Sequence, residues 1–214
     1  MHQDMLRDFL QDNASEVRNM LFTERNLDTA KRMSKLRFSM LSGGRGSNFD
    51  AIMRRVETKE LNAECISLVT TKGSKSAEIA EKYGVPVRLI DDDCLLSILQ
   101  SDNPDLVVMS GYMRKLPENI FDVFENRIIN IHPSLLPSFG GKGCYGIHVH
   151  EKVIEAGVKI TGVTVHYVNK DYDSGKIIAQ VAVPVLPSDT PESLANRVLK
   201  EEHSIYWQVI RDIS

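Results

Sequence analysis

From Leu36 onward, short apolar runs alternate with stretches in which apolar residues recur at helical spacing. "LRFSML" (36–41), "AECISLVTT" (63–71), "VPVRLI" (85–90), "DLVVMS" (105–110) and "RIINI" (127–131) are rich in aliphatic residues. Runs of this kind suit strands covered on both faces. The segments between them predict helices near 48–56, 75–83, 93–100 and 117–125. A helix over 148–157 follows, then two strands, "KITGVTVHYV" and "KIIAQVAVPV". A last helix from Pro191 places Leu194, Val198, Ile205 and Val209 on one face. Strand–helix alternation of this type predicts an α/β fold, with a mostly parallel twisted sheet and helices on both of its faces.

The first 35 residues read differently. Leu6, Phe9, Leu10, Val17, Met20 and Leu21 recur at helical spacing among mixed charges, without a glycine. We expect a helical extension over 1–35 ahead of a single domain at 36–214, suited to packing or to pairing of chains. A homodimer is left open. Met33, just ahead of the first strand, is a second candidate start.

Composition narrows the function. A net charge of −3 with 26% charged residues gives none of the basic excess of a nucleic-acid or anionic-membrane binder. No apolar run reaches the roughly 18 residues of a membrane span, and no signal-peptide core is visible. Cys65, Cys94 and Cys144 have unrelated spacings, which fits a reducing, cytoplasmic setting better than a disulfide or zinc framework.

In an open parallel sheet, ligands bind beyond the carboxyl ends of the strands, so the loops there carry the candidate chemistry. "GGRGSN" (43–48) joins the first strand to the first helix. Its glycines let backbone N–H groups approach an anion, and the helix start, Ser47 and Asn48 add to the attraction. It fits neither the dinucleotide fingerprint nor a Walker loop. A second loop, Gly111 to Leu116, mixes an apolar shelf with cations and suits a flat ligand carrying carboxylates, although a plain solvated loop reads equally well.

The third is "RIINIHPSLLPSF" (127–139). Strand side chains alternate, so Asn130 and His132 face one side and Ile131 the other. Pro133 removes a backbone donor and holds His132 extended. An amide and an imidazole side by side can stabilise an oxyanion, though either residue alone is more often structural. In "NKDYDSGKI" (169–177), Asp171, Asp173 and Gly175 form an acidic turn. A carboxylate from it beside His132 would favour the charged imidazole, but sequence separation does not bring the two together.

These residues carry a resemblance. "GRGSN", "GYMRKLPENIF", "NIHPSLLPSF", "TGVTVHYV", "DYDSGKIIAQ" and "EEHSIYW" occur in this order. Together they resemble the phosphoribosylglycinamide formyltransferase family, the folate-dependent glycinamide ribonucleotide transformylases of purine synthesis. The likeness runs from Leu36 to the end, and Asn-x-His-Pro-Ser-Leu-Leu-Pro is specific to formyl transfer. It implies a formyltransferase domain in which Asn130, His132 and Asp173 are catalytic. Gly46, Ser47 and Asn48 would hold the ribonucleotide phosphate, and Glu202 would contact the ribonucleotide. Met113, Arg114 and Leu116 would lie near 10-formyltetrahydrofolate, the formyl donor. The mechanism so implied needs neither a metal nor a covalent intermediate.

The chain departs from the family pattern in two places. Gly43 stands where the first loop usually has serine, and "GGKGCYGIH" after Phe139 is longer than in the shortest members. Formyltetrahydrofolate deformylase has a related site, but a regulatory domain longer than the segment before Leu36. Methionyl-tRNA formyltransferase adds a domain after the last helix. A nucleotide-binding module with a dead site is the non-enzymatic alternative. His148 and His150 do not read as a metal pair, since two-residue spacing in a helix turns them apart. His166 reads as an inward-facing polar group near the site, and His203 as a neighbour that orients Glu202.

Overall fold

The computed structural model describes residues 35–90 and 94–213, so the extension expected ahead of Lys35 lies outside the described residues. Within them the strands are β1 (Leu36–Ser42), β2 (Ala63–Thr70), β3 (Val87–Leu89), β4 (Leu106–Ser110), β5 (Ile128–His132), β6 (Ile160–Tyr167) and β7 (Ile177–Pro184). The helices are α1 (Ser47–Glu57), α2 (Lys75–Lys82), α3 (Leu95–Asp102), α4 (Ile120–Val123), α5 (Ile147–Glu155) and α6 (Pro191–Asp212). The strands form one sheet in the order β3-β2-β1-β4-β5-β6-β7. β1, β2, β3, β4 and β5 are joined by parallel pairings, while β6 pairs antiparallel with both β5 and β7. The α/β architecture expected from the apolar pattern is therefore present.

Period-two alternation sorts the core onto two faces. Phe38, Met40, Leu106, Val108, Ile129 and Ile131 join a cluster that takes in α1, α2, α5 and α6. Leu41, Val107, Met109 and Ile128 join another with Leu95, Leu99 and Ile120 of α3 and α4. The four residues of α6 expected on one face are all buried. A Thr190–Ser193 capping box with Pro191 at the first turn starts that helix.

Strand order reverses between β1 and β4, because β2 and β3 extend to one side and β4 to β7 to the other. Such a switch point opens a crevice at the strands' carboxyl ends. Ser42 and Ser110 pair at those ends. No helix among the described residues is long and apolar enough to cross a membrane.

Candidate active site

The turn into α1 is built on Gly46, whose φ of 75° is left-handed. A Cβ there would lie 2.9 Å from Ser76 Cα and 2.8 Å from Ile79 Cδ1, so both backbone angle and space demand glycine. No side chain among the described residues caps this helix start, which leaves its first N–H groups available to an anion. Gly43 has a packing reason: a Cβ on it would sit 3.1 Å from the Gly111 carbonyl across the switch point.

Asn48 is buried and bridges three elements. Its Nδ2 donates to Ser110 Oγ at 3.0 Å and to Glu202 Oε2 at 2.6 Å. Both amide protons are thereby engaged, so the backbone N–H is what Asn48 has left to offer an anion. Burial pushes the Glu202 carboxyl above the usual range, with the Asn48 amide acting in the opposite direction. One turn further along α6, the buried Tyr206 hydroxyl lies 2.6 Å from Met109 O and 3.2 Å from Ile129 O, pinning the helix behind β4 and β5. Asn48, rather than the neighbouring His203 suggested by sequence, holds Glu202. The electrostatic neighbours of His203 are Asp50 and Arg54.

Asn130 and His132 leave β5 on the same side, and Ile131 packs into the opposite core cluster. The backbone beyond them is fixed by a network around Thr164 as well as by its prolines. Thr164 Oγ1 donates to Ser134 O at 2.6 Å and accepts from Leu136 N at 3.0 Å, while Gln180 Nε2 donates to Leu136 O at 3.0 Å. His132 is 4% exposed. Its Nε2 donates to the Phe139 carbonyl at 2.9 Å, and its Nδ1 lies 3.6 Å from Asp173 Oδ2.

Asp173 thus comes beside His132. The β6–β7 pairing carries its turn there, and Asp173 itself has a left-handed φ of 52°. Asp173 Oδ2 also accepts from Gly141 N at 2.8 Å, and Oδ1 lies 3.7 Å from His166 Nε2. His166 Nδ1 donates to the Tyr167 carbonyl at 2.9 Å, so its Nε2 is the acceptor for Asn130 Nδ2 at 3.3 Å. Burial is the main force holding His166 below the ordinary imidazole range, which keeps the acceptor tautomer neutral.

Two cavities meet at this cluster. The larger, about 470 Å³, runs from the Gly46 turn past Glu202 to His132 and Asp173. The smaller, about 80 Å³, is lined by Arg114, Leu116, Val168 and His166. Asn130, Asp173, Tyr112 and Tyr172 line both. Leu116 doubles as a core residue, and Met113 stands 55% exposed at the rim of the larger cavity. His148 and His150 diverge as their spacing requires: His148 pairs with Glu151 at 2.8 Å, while His150 is buried in the larger cavity's wall.

The formyl transferase family model matches residues 36–210. This chain belongs to that family. It is 42% identical over 182 residues to the chloroplastic phosphoribosylglycinamide formyltransferase of Arabidopsis thaliana, covering 79% of this chain and 62% of that protein. It thus spans about three fifths of the length of that plant relative. The Bacillus subtilis phosphoribosylglycinamide formyltransferase is 34% identical, with 83% of this chain and 94% of that protein covered. The crystal structure of the Anaplasma phagocytophilum phosphoribosylglycinamide formyltransferase superposes with a TM-score of 0.78 at 39% identity, covering 84% of this chain and 87% of that one. The likeness to formyltransferases expected from the ordered motifs is therefore present in sequence and in fold.

Proposed function

We propose that this chain transfers a formyl group from 10-formyltetrahydrofolate to the amine of glycinamide ribonucleotide, a step of purine synthesis. The observation that carries the reading is the meeting of two cavities at Asn130 and Asp173, as a reaction between two bound substrates requires. The names of the relatives support the acceptor and the formyl group, and the folate donor follows from the resemblance of the ordered motifs. The ribonucleotide fits the larger cavity, its phosphate at Gly46, Ser47 and Asn48 and its sugar towards Glu202. The formyl-bearing end of the folate fits the smaller one, beside Arg114 and Leu116, while Met113 stands at the rim of the larger one.

In this mechanism the amine attacks the formyl carbon between Asn130 and His132. The Asn130 amide has one proton directed at His166, and its second meets the developing oxyanion. His132 Nε2 is engaged with Phe139, so Nδ1, on the Asp173 side, is the nitrogen available to the reaction. Asp173 supports the charged ring and takes the proton of the attacking amine towards the leaving folate nitrogen. The substrates of such a step are small and water-soluble, and we place the protein in the cytoplasm.

Absorbance of the deformylated folate, with 10-formyltetrahydrofolate supplied and the ribonucleotide present or omitted, tests the assignment. Turnover is expected only with the ribonucleotide. Equal turnover without it makes water the acceptor and the enzyme a deformylase. No turnover in either case removes the catalytic reading.

A further inference from the structure

The segment between Phe139 and α5, longer than in the shortest family members, has no role in the chemistry above. Lys142 is at its tip, between Gly141 at φ 85° and Gly143 at φ 82°. Its stem is tied down on both sides. Gly141 N donates to Asp173 Oδ2, and Lys152 Nζ reaches Gly143 O at 3.3 Å and Cys144 Sγ at 3.1 Å. Across the cavity, Arg45 immediately precedes the Gly46 turn.

Lys142 and Arg45 are the lysine and arginine side chains that line the larger cavity, and neither has a hydrogen bond or ion pair with another described residue. The cavity's other formal charges, Asp173 and Glu202, are acidic. A phosphomonoester brings about −2, whereas a helix start supplies only about half a positive charge. The Gly46 turn alone therefore leaves a dianion largely uncompensated beside two carboxylates. In the same wall, Asn48 Oδ1 and His150 Nδ1 are buried with no hydrogen-bond partner among the described residues.

We infer that Arg45 and Lys142 form a second, cationic half of the phosphate site. Arg45 flanks the phosphate from the α1 side, and Lys142 closes over it from the glycine-rich loop. This rests on the ribonucleotide reading above and deepens it: the two side chains set the preference for a phosphorylated acceptor. Because Gly141 is bonded to Asp173, Lys142 closing on phosphate also steadies the catalytic carboxylate. Phosphate binding and proton transfer are thereby linked through one loop.

The test uses the full chain and the variants Lys142→Met, Arg45→Met and the double variant. KM for glycinamide ribonucleotide should rise about tenfold for each single change, the value of one charge-assisted contact, and further for both. KM for the formyl donor should stay within about twofold, and the salt dependence of the ribonucleotide KM should flatten. Calorimetric titration with inorganic phosphate, which needs no turnover, should show matching losses. An active wild type whose ribonucleotide KM and phosphate binding are unchanged in both variants overturns the inference and leaves the proposed reaction standing. An inactive wild type whose phosphate binding weakens in the variants sinks the reaction and keeps the anion site.

Discussion

Asn130 Nδ2 donates to His166 Nε2 across the β5–β6 pair at 3.3 Å, and His166 can accept because its Nδ1 proton is held by the Tyr167 carbonyl at 2.9 Å. Asn130 and His166 are also register partners in the two strands. An asparagine amide has two faces, and only one presents protons to an oxyanion. His166 selects that face.

His166→Leu removes the acceptor and frees the amide to rotate. We expect kcat to fall roughly a hundredfold, the scale of a misplaced catalytic group, with both KM values little changed. His166→Gln retains an acceptor at similar reach and should recover most of the rate. Equal losses in the two variants would show that His166 acts only through packing.

For the two proposed oxyanion donors the expected losses are direct. Asn130→Ala or His132→Ala should lower kcat about a hundred- to a thousandfold. Near-wild-type turnover in either variant would remove that residue from the mechanism.

Asp173→Asn separates charge from shape. The amide oxygen can still accept from Gly141 N, so the loop remains tethered. The proposed support of His132 and proton-carrying role of the carboxylate are lost, and kcat should drop about a hundredfold or more. Steady-state rates at saturating concentrations of both substrates measure this. A loss below about threefold would mean that the proton travels another way.

Much of this site follows from periodicity alone. Alternation in β5 put Asn130 and His132 on one side with Ile131 opposite, because a pleated strand permits nothing else. The Gly46 turn was legible because glycines between an apolar run and a helix leave few conformations. The contact of Asp173 with His132 was not, since it depends on how β6 and β7 return across β5. Asn48 read as a phosphate donor, yet its amide is taken by Glu202, a partner 154 positions away that spacing cannot reveal. Thr164, Gln180 and Tyr206 looked like ordinary strand and helix residues, and only packing shows that they anchor the backbone around Asn130 and His132. The helix expected over 117–125 is reduced to Ile120–Val123. Its start is closed by i→i+3 bonds from Ile120 N to Pro117 O and from Phe121 N to Glu118 O, and Phe124 leaves the helical region at φ −114°.

Gly46→Ala tests the turn proposed to hold the phosphate. The new methyl meets the Ser76 backbone at 2.9 Å in a left-handed conformation. We expect a loss of about 1–3 kcal/mol in urea unfolding, the scale of a strained backbone position. KM for the ribonucleotide should rise in the same variant. A stability within about 0.5 kcal/mol of wild type would show that the turn relaxes without strain.

His150 makes acid stability a test of the cavity wall. Burial, with His132 adding to it, lowers its pKa to about 4. The unfolded chain takes up this proton near the ordinary value of about 6.5. Between the two values the unfolded state holds more protons, so this contribution to stability is complete above about 6.5 and declines as pH falls towards 4. His166, also lowered, acts in the same direction. His150→Gln cannot titrate there, so the difference between its urea midpoints at pH 7.5 and pH 5 should be smaller than that of wild type. Identical pH dependence in the two proteins would show that His150 is open to water in the folded state. In that case its Nδ1, unpartnered among the described residues, would be solvated.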